Sequence, residues 1–125
     1  MKALLVLMSH KLTQEQIDDI SFSLKAEIYY AHDYIYNLWK NIPPELESLD
    51  EYLIPVKNYL RDNMKEGDYI LIQGDPGAVY QTVEFSFAMG FIPIYSTTKR
   101  ISVEKEIDGE VKKISVFKHI RFREY

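Results

Sequence analysis

The sequence predicts a single α/β domain with a mainly parallel sheet, because apolar runs of strand length alternate with segments of helical periodicity. Residues 3–8 form a continuous apolar run, which is the pattern of a strand buried on both faces. Shorter strands are predicted at 27–31, 69–73 and 91–95. The chain of 125 residues has the size of one domain, and its 46% of hydrophobic residues can form a core.

Two helices carry clear start signals. Thr13 and Gln16 fit a capping box at the beginning of a helix over roughly residues 14–25. Asp75-Pro76 predicts a second start, because aspartate is a favoured N-cap and proline fits the first helical position. This helix is expected to end near Met89, with Gly90 in the left-handed conformation.

The segment between the second and third strands is predicted to be helical. Asp33 is expected to cap a short helix that Pro43-Pro44 terminates. Residues 46–64 are predicted to form more helix, interrupted at Pro55.

After Arg100 the pattern changes to the alternation of a β-hairpin. Asp108-Gly109 is a type I′ turn signal. A two-residue loop pairs Val103 with Ile114 and sets Lys105 opposite Lys112, which is unfavourable and predicts a splayed tip or a shifted register. Strands and helices in this order, with a terminal hairpin, predict a Rossmann-like domain.

The charge and composition exclude several classes of protein. A net charge of −4 argues against nonspecific DNA binding. The absence of cysteine excludes disulfides and thiolate chemistry. The N-terminal apolar run is too short for a signal peptide, and no stretch could span a membrane, so a cytoplasmic protein is expected. The three histidines lack any metal-ligand spacing, so no metal site and no cofactor are predicted.

Three polar loops each follow a predicted strand, and the carboxyl ends of parallel strands meet at one edge of a sheet. The loops are Ser9-His10-Lys11, Gln73-Gly74-Asp75-Pro76-Gly77 and Ser96-Thr97-Thr98-Lys99-Arg100. Their hydroxyls, glycines, amides and cations suit a phosphate. The sequence therefore predicts an anion-binding pocket made by the three loops.

Each loop also has an ordinary structural interpretation. The free N–H groups after Gln73 favour an anion, with Gly74 and Gly77 allowing close approach, but Asp75 is better explained as an N-cap than as a catalytic acid. Ser9, His10 and Lys11 could equally be a plain strand-to-helix loop, since no carboxylate with a role in orienting His10 is evident.

The third loop is the best local candidate. Thr97, Thr98, Lys99 and Arg100 can bind a phosphate and stabilise charge in a transition state, although a solvated turn is the alternative. Tyr80, one turn into the helix after the glycine loop, is a candidate for stacking on a nucleobase.

The motifs together resemble the Csx-twenty family, small CRISPR-associated proteins of type III systems. The resemblance spans nearly the whole chain and rests on five segments: Ser9-His10-Lys11-Leu12-Thr13, Trp39 with Asn41-Ile42-Pro43-Pro44, Gln73–Gly77, Tyr95–Arg100, and Val116–Arg123. It implies a CARF-like domain that binds a cyclic oligoadenylate, most often cyclic tetra-adenylate, as a homodimer. It also implies a ring nuclease that linearises this messenger without metal, leaving a 2′,3′-cyclic phosphate.

The resemblance places functional groups at specific positions of this chain. Ser9, Lys99 and Arg100 match loops that position the phosphate and stabilise charge, and His10 is the candidate acid for the leaving oxygen. The remaining ligand-binding candidates are Lys11, Gln73, Gly74, Asp75, Gly77, Tyr80, Thr97 and Thr98. A module that binds the messenger without cleaving it, as a sensor or sponge, is the alternative.

Overall fold

The protein, described over residues 1–125 by a computed structural model, is an α/β domain built on one five-stranded sheet. The strands are β1 (Ala3–Leu7), β2 (Glu27–Tyr30), β3 (Tyr69–Ile72), β4 (Ile92–Ile107) and β5 (Glu110–Glu124). The helices are α1 (Gln14–Asp19), continued by a π-helical segment (Ile20–Leu24), α2 (Asp33–Lys40), α3 (Ile54–Asn63) and α4 (Pro76–Met89). No helix is both long enough and apolar enough to cross a bilayer.

The sheet has the order β2-β1-β3-β4-β5 and is parallel except for β5. The chain leaves β1 toward β2 on one side and returns to β3 on the other. The strand order therefore reverses between β1 and β3, which is where open α/β sheets bind ligands at their carboxyl edge. The mainly parallel sheet and terminal hairpin expected from the sequence are confirmed.

Two helical layers cover the sheet. One face, with Leu4 and Val6 of β1, packs against Ile20 of the π-helical segment that follows α1. The opposite face, with Leu5 and Leu7, packs against α2, α3 and α4. Consecutive residues of β1 thus point into different cores, which explains why this strand is apolar at every position.

The predicted helix starts are largely correct. The Gln16 amide N–H donates to Thr13 Oγ1 at 3.2 Å, and the Gln16 side chain accepts from the Thr13 N–H at 2.9 Å, which completes the capping box. Gly90 ends α4 with φ 77°, as predicted. The helix expected over 14–25 has nearly that extent, but its last five residues are π-helical.

Two predictions between β2 and β3 are wrong. The N-cap of α2 is His32, whose Nδ1 accepts from the Tyr34 N–H at 3.3 Å, and Asp33 is the first helical residue. Helix α3 begins only at Ile54, so Pro55 lies in its first turn and does not interrupt a longer helix. The missing N–H of proline costs nothing at that position.

The largest difference concerns residues 96–100, which form no loop. Strand β4 runs without a break through Tyr95 to Ile107, because β5 returns alongside it and satisfies its backbone groups. The tip has the register of a two-residue turn: Val103 pairs with Ile114, and Lys105 lies opposite Lys112. The splayed tip or shifted register expected from their like charge does not occur. We call residues 98–107 and 110–119 the arm.

Candidate functional site

The first two predicted loops meet at the carboxyl edge of the sheet. The Gln73 N–H donates to the Leu7 carbonyl at 3.1 Å, which extends the contact between β1 and β3 beyond the strands. Two side chains of α2 hold these loops: Tyr36 Oη donates to the Ser9 carbonyl at 3.0 Å, and Trp39 Nε1 donates to the Gln73 carbonyl at 2.9 Å. The backbone of both loops is therefore fixed at the point where the strand order reverses.

The side chains of Ser9, His10 and Lys11 are free at this edge. All three residues are exposed, and they follow the buried Met8. None of their side chains makes a hydrogen bond or salt bridge within the chain. They can therefore donate to an anionic ligand without first breaking an internal contact.

Gln73 and Asp75 are already engaged. Gln73 Oε1 accepts from the Ser96 N–H at 3.0 Å and so links β3 to β4. Asp75 Oδ2 accepts from the Ala78 N–H at 3.1 Å, which is the predicted N-cap of α4. The carboxylate of Asp75 is thus a structural group beside the edge.

Gly74 is needed for packing against Trp39. Its φ is 155°, and a Cβ at this position would lie 2.9 Å from Trp39 Nε1. A Cβ on Gly77 would lie no closer than 3.4 Å to Asp75 Oδ2 and 3.5 Å to Leu49 Cδ1. The absence of a side chain at Gly74 therefore allows its backbone to lie close to the Trp39 indole.

We expect Gly74→Ala to lower the free energy of unfolding by about 2 kcal/mol, because Trp39 must move and lose its hydrogen bond to Gln73. Gly77→Ala is the matched control and should change it by less than about 1 kcal/mol. Urea melts followed by Trp39 fluorescence measure both. Equal effects of the two substitutions would contradict this explanation.

Tyr80 lies apart from the other candidates. Its side chain is exposed beside Lys57 of α3 and Glu84, in a shallow surface depression. A hydrogen bond to Glu84, together with the negative charge of that side chain, raises the pKa of Tyr80. The structure therefore does not bring Tyr80 together with Ser9, His10 and Lys11.

The third predicted loop is the base of the arm. Thr97 Oγ1 donates to the Arg121 carbonyl at 3.0 Å and accepts from the Arg121 N–H at 3.2 Å. Thr98, Lys99 and Arg100 are exposed strand residues. Because successive strand residues point to opposite faces, Lys99 and Arg100 project from opposite sides of the arm.

A β-bulge marks where the arm leaves the sheet. Thr97 pairs with Arg121 and Thr98 pairs with His119, so Ile120 is an extra residue in β5. The extra residue places His119 and Phe122, three apart in sequence, on the same face, with ring centroids 4.5 Å apart. The bulge thereby turns His119 toward α1.

His119 joins Ser96 and Asp19 in a hydrogen-bonded chain that the sequence did not predict. Its Nδ1 lies 2.5 Å from Ser96 Oγ, and its Nε2 lies 2.7 Å from Asp19 Oδ2. The His119 side chain is only 6% exposed and that of Asp19 is 21% exposed. These hydrogen bonds connect β4, β5 and the end of α1.

The environment of Asp19 favours its ionised form. Burial raises its pKa, but hydrogen bonds from Ser23 and His119 and the positive charges of His119 and Arg121 outweigh burial, so the pKa is lowered from its ordinary value of 3.8. Ser23 belongs to the π-helical segment, one turn after Asp19.

The geometry of the hydrogen-bonded residues Ser96, His119 and Asp19 indicates a structural role, and we call these three residues the anchor. Ser96 is nearly buried, and it contacts Nδ1 of the imidazole, whereas a catalytic triad presents an accessible serine to Nε2. Three polar groups satisfied by one another inside the domain fasten the arm to α1. No group of three or more His, Asp or Glu side chains is arranged to hold a metal ion.

The missed residues are distant in sequence. Asp19 and His119 are 100 residues apart, and only the bulge at Ile120 brings them together. No local pattern marks His119, because strict alternation from Val116 to Phe122 would place it on the opposite face from both residues.

The comparisons with known proteins agree on one family. A family model described as "Uncharacterized protein MJ1673 family" matches residues 2–123. The protein described as "Uncharacterized protein MJ1673" from Methanocaldococcus jannaschii is 47% identical over 126 residues, covering 100% of this chain and 98% of that protein. No solved structure matches the chain. The chain therefore belongs to the MJ1673 family.

Proposed function

We propose that the protein is a ring nuclease that binds cyclic tetra-adenylate at the carboxyl edge and linearises it, which switches off type III CRISPR signalling in the cytoplasm. The observation that carries the proposal is the free set of Ser9, His10 and Lys11 at the point where the strand order reverses. The resemblance of the motifs to the Csx-twenty family supplies the identity of the ligand. On this proposal the domain is a Rossmann-like domain of the CARF kind.

Phosphate binding at this edge has a clear physical basis. The Ser9 hydroxyl and the Lys11 ammonium can donate to phosphate oxygens, and the N-terminus of α4 adds the positive end of a helix dipole. Gln73, Gly74 and Gly77 line this end through their backbone. The Asp75 carboxylate at the start of α4 already accepts a hydrogen bond from the Ala78 N–H.

On the arm, Lys99 is the cation that we assign to the ligand. It lies directly opposite Lys118, and neither side chain forms a salt bridge. Like charges facing each other across a strand pair are destabilising, so a bound anion would relieve this repulsion. Arg100 lies on the other face, opposite Phe117, and cannot meet the same phosphate from the same arm. Thr98 also belongs to the Arg100 face.

The proposed reaction needs no protein nucleophile. A ribose 2′-hydroxyl gives its proton to water as its oxygen attacks the adjacent phosphorus, the bond from phosphorus to the 5′-oxygen breaks, and a 2′,3′-cyclic phosphate forms. His10 donates the proton that the 5′-oxygen takes up, and Lys99 and Lys11 stabilise the charge on the phosphoryl oxygens. A two-fold symmetric homodimer would present two such edges to the symmetric ring.

One observation favours the alternative of binding without cleavage. His10 has no hydrogen-bonding partner, so nothing in the free protein orients its imidazole. General acids are usually held by a second group. A sensor or sponge would need the cations of this edge but no oriented acid.

The test is incubation of cyclic tetra-adenylate with the protein in EDTA, followed by chromatography of the products. We expect linear product beyond one equivalent per dimer, with a 2′,3′-cyclic phosphate end. His10→Gln should abolish turnover while keeping binding, and Lys65→Ala, at the opposite edge of the sheet, should behave as the wild type. Tight binding without product would establish the binding module, and a requirement for a divalent ion would refute the proposed mechanism.

A further inference from the structure

The arm has almost no support from the rest of the domain. None of its side chains belongs to either hydrophobic core. From Lys99 to Lys118, no arm side chain forms a hydrogen bond or salt bridge with the body of the domain. A two-stranded hairpin by itself is marginally stable in water. An arm of this length therefore has an unpartnered surface.

One face of the arm is complementary to itself. The register places Arg100 beside Phe117 near the base, and Glu106 beside Val111 near the tip, all on one face. Phe117 is 71% exposed and Val111 is 68% exposed. The same face thus carries a cation and an apolar group at one end, and an anion and an apolar group at the other.

We propose that this face binds the same face of a second copy of the chain, with the two arms antiparallel about a two-fold axis. The axis runs across the Val103–Ile114 pair. Arg100 then meets Glu106 of the other arm, and Phe117 meets Val111. The contact is isologous, so each pair of residues occurs twice.

The residues between these pairs also fit. With the axis at Val103–Ile114, Ser102 of one arm faces Glu104 of the other, and Ser115 faces Lys113. In both cases a small side chain lies against a long one. Glu104 and Lys113 are themselves cross-strand neighbours of opposite charge within each arm.

The other surfaces of the arm fit a second copy poorly. On the opposite face, Ile101, Val103, Ile114 and Val116 lie between two pairs of lysines, and an antiparallel partner would set lysine against lysine or against aliphatic side chains. On the free edge of β5, Lys112, Lys113 and Lys118 crowd the strand, and such charges protect an edge from pairing. The arrangement of charge therefore selects the Arg100 face.

Antiparallel arms turn the two carboxyl edges toward each other. The arm extends each protomer beyond its carboxyl edge, so two arms stacked head to tail place Ser9 and Gln73 of both copies on either side of the axis. Lys99, on the outer face, stays free. The interface does not rest on the proposed reaction.

Charge reversal tests the interface in the full chain. By light scattering across a range of concentrations, the wild type is expected to be a dimer. Arg100→Glu and Glu106→Arg should each give a monomer, because each sets like charges against each other at two places. The double variant should restore the dimer. Lys99→Glu, which reverses a charge on the opposite face, should remain dimeric.

A monomeric wild type, or single variants that stay dimeric, would overturn the proposal, as would a double variant that stays monomeric. Far-UV circular dichroism of each variant separates misfolding from dissociation. If folding is lost in a single variant, Val111→Ser is the second probe, and it should raise the dissociation constant at least tenfold with the fold retained. Phe87→Ser, at another exposed apolar site, on α4, is its control and should leave the constant unchanged. These results stand whether or not the protein cleaves cyclic tetra-adenylate.

Discussion

His119→Ala is expected to lower the free energy of unfolding by about 3 kcal/mol, the largest effect of any histidine in the chain. The substitution removes two hydrogen bonds, leaves the partly buried Asp19 carboxylate with Ser23 as its remaining hydrogen-bond donor, and opens a cavity beside Phe122. His10→Ala is the matched control, because His10 is exposed and unpaired, and it should change the free energy by less than about 0.5 kcal/mol. Thermal and urea unfolding measure both.

The same anchor makes stability depend on pH in a defined direction. The folded-state pKa of Asp19 is lowered, so the carboxylate contributes stability that is present above its ordinary pKa of 3.8 and is lost as pH falls through the lower, folded value. Asp19→Asn should therefore be less stable than the wild type at pH 7, and the difference should shrink as pH falls below about 4. A difference that grows toward low pH would contradict the role of Asp19.

Lys99→Ala is expected to slow single-turnover cleavage of cyclic tetra-adenylate by about 10²–10³-fold, because its charge would stabilise the phosphoryl oxygens as negative charge develops. Asp75→Ala should behave differently in kind. Loss of its N-cap should cost about 1 kcal/mol of stability with cleavage largely retained. Normal cleavage by Lys99→Ala would show that the arm has no part in the chemistry.

What the sequence predicted correctly depends on neighbours along the chain. The capping box of Thr13 and Gln16, the cap at Asp75 and the turn at Asp108-Gly109 are all decided within a few residues. The first two loops also meet as expected, because parallel topology alone brings the ends of β1 and β3 together. Contacts between sequence neighbours and the order of the strands determine these features, so the sequence alone was sufficient to predict them.

The incorrect and missed features depend on residues far apart in sequence. Residues 96–100 contain hydroxyls and cations that suit a loop, and only the pairing with β5 makes them a strand. The approach of His119 to Asp19 requires one extra residue in β5, which no local pattern reveals. The alternation of inward-facing and outward-facing residues is equally regular on either side of Ile120, so only the pairing of β4 with β5 defines the bulge.

The bulge at Ile120 also restricts how chains of this family can vary in length. Between the anchor and the tip, every residue alternates between the Lys99 side and the Arg100 side, and the extra residue sets which side faces α1. Adding or removing two residues in each strand would lengthen or shorten the arm and keep that assignment. A net change of one residue between Phe122 and the turn would exchange the two sides, so we expect related chains to differ there by even steps only.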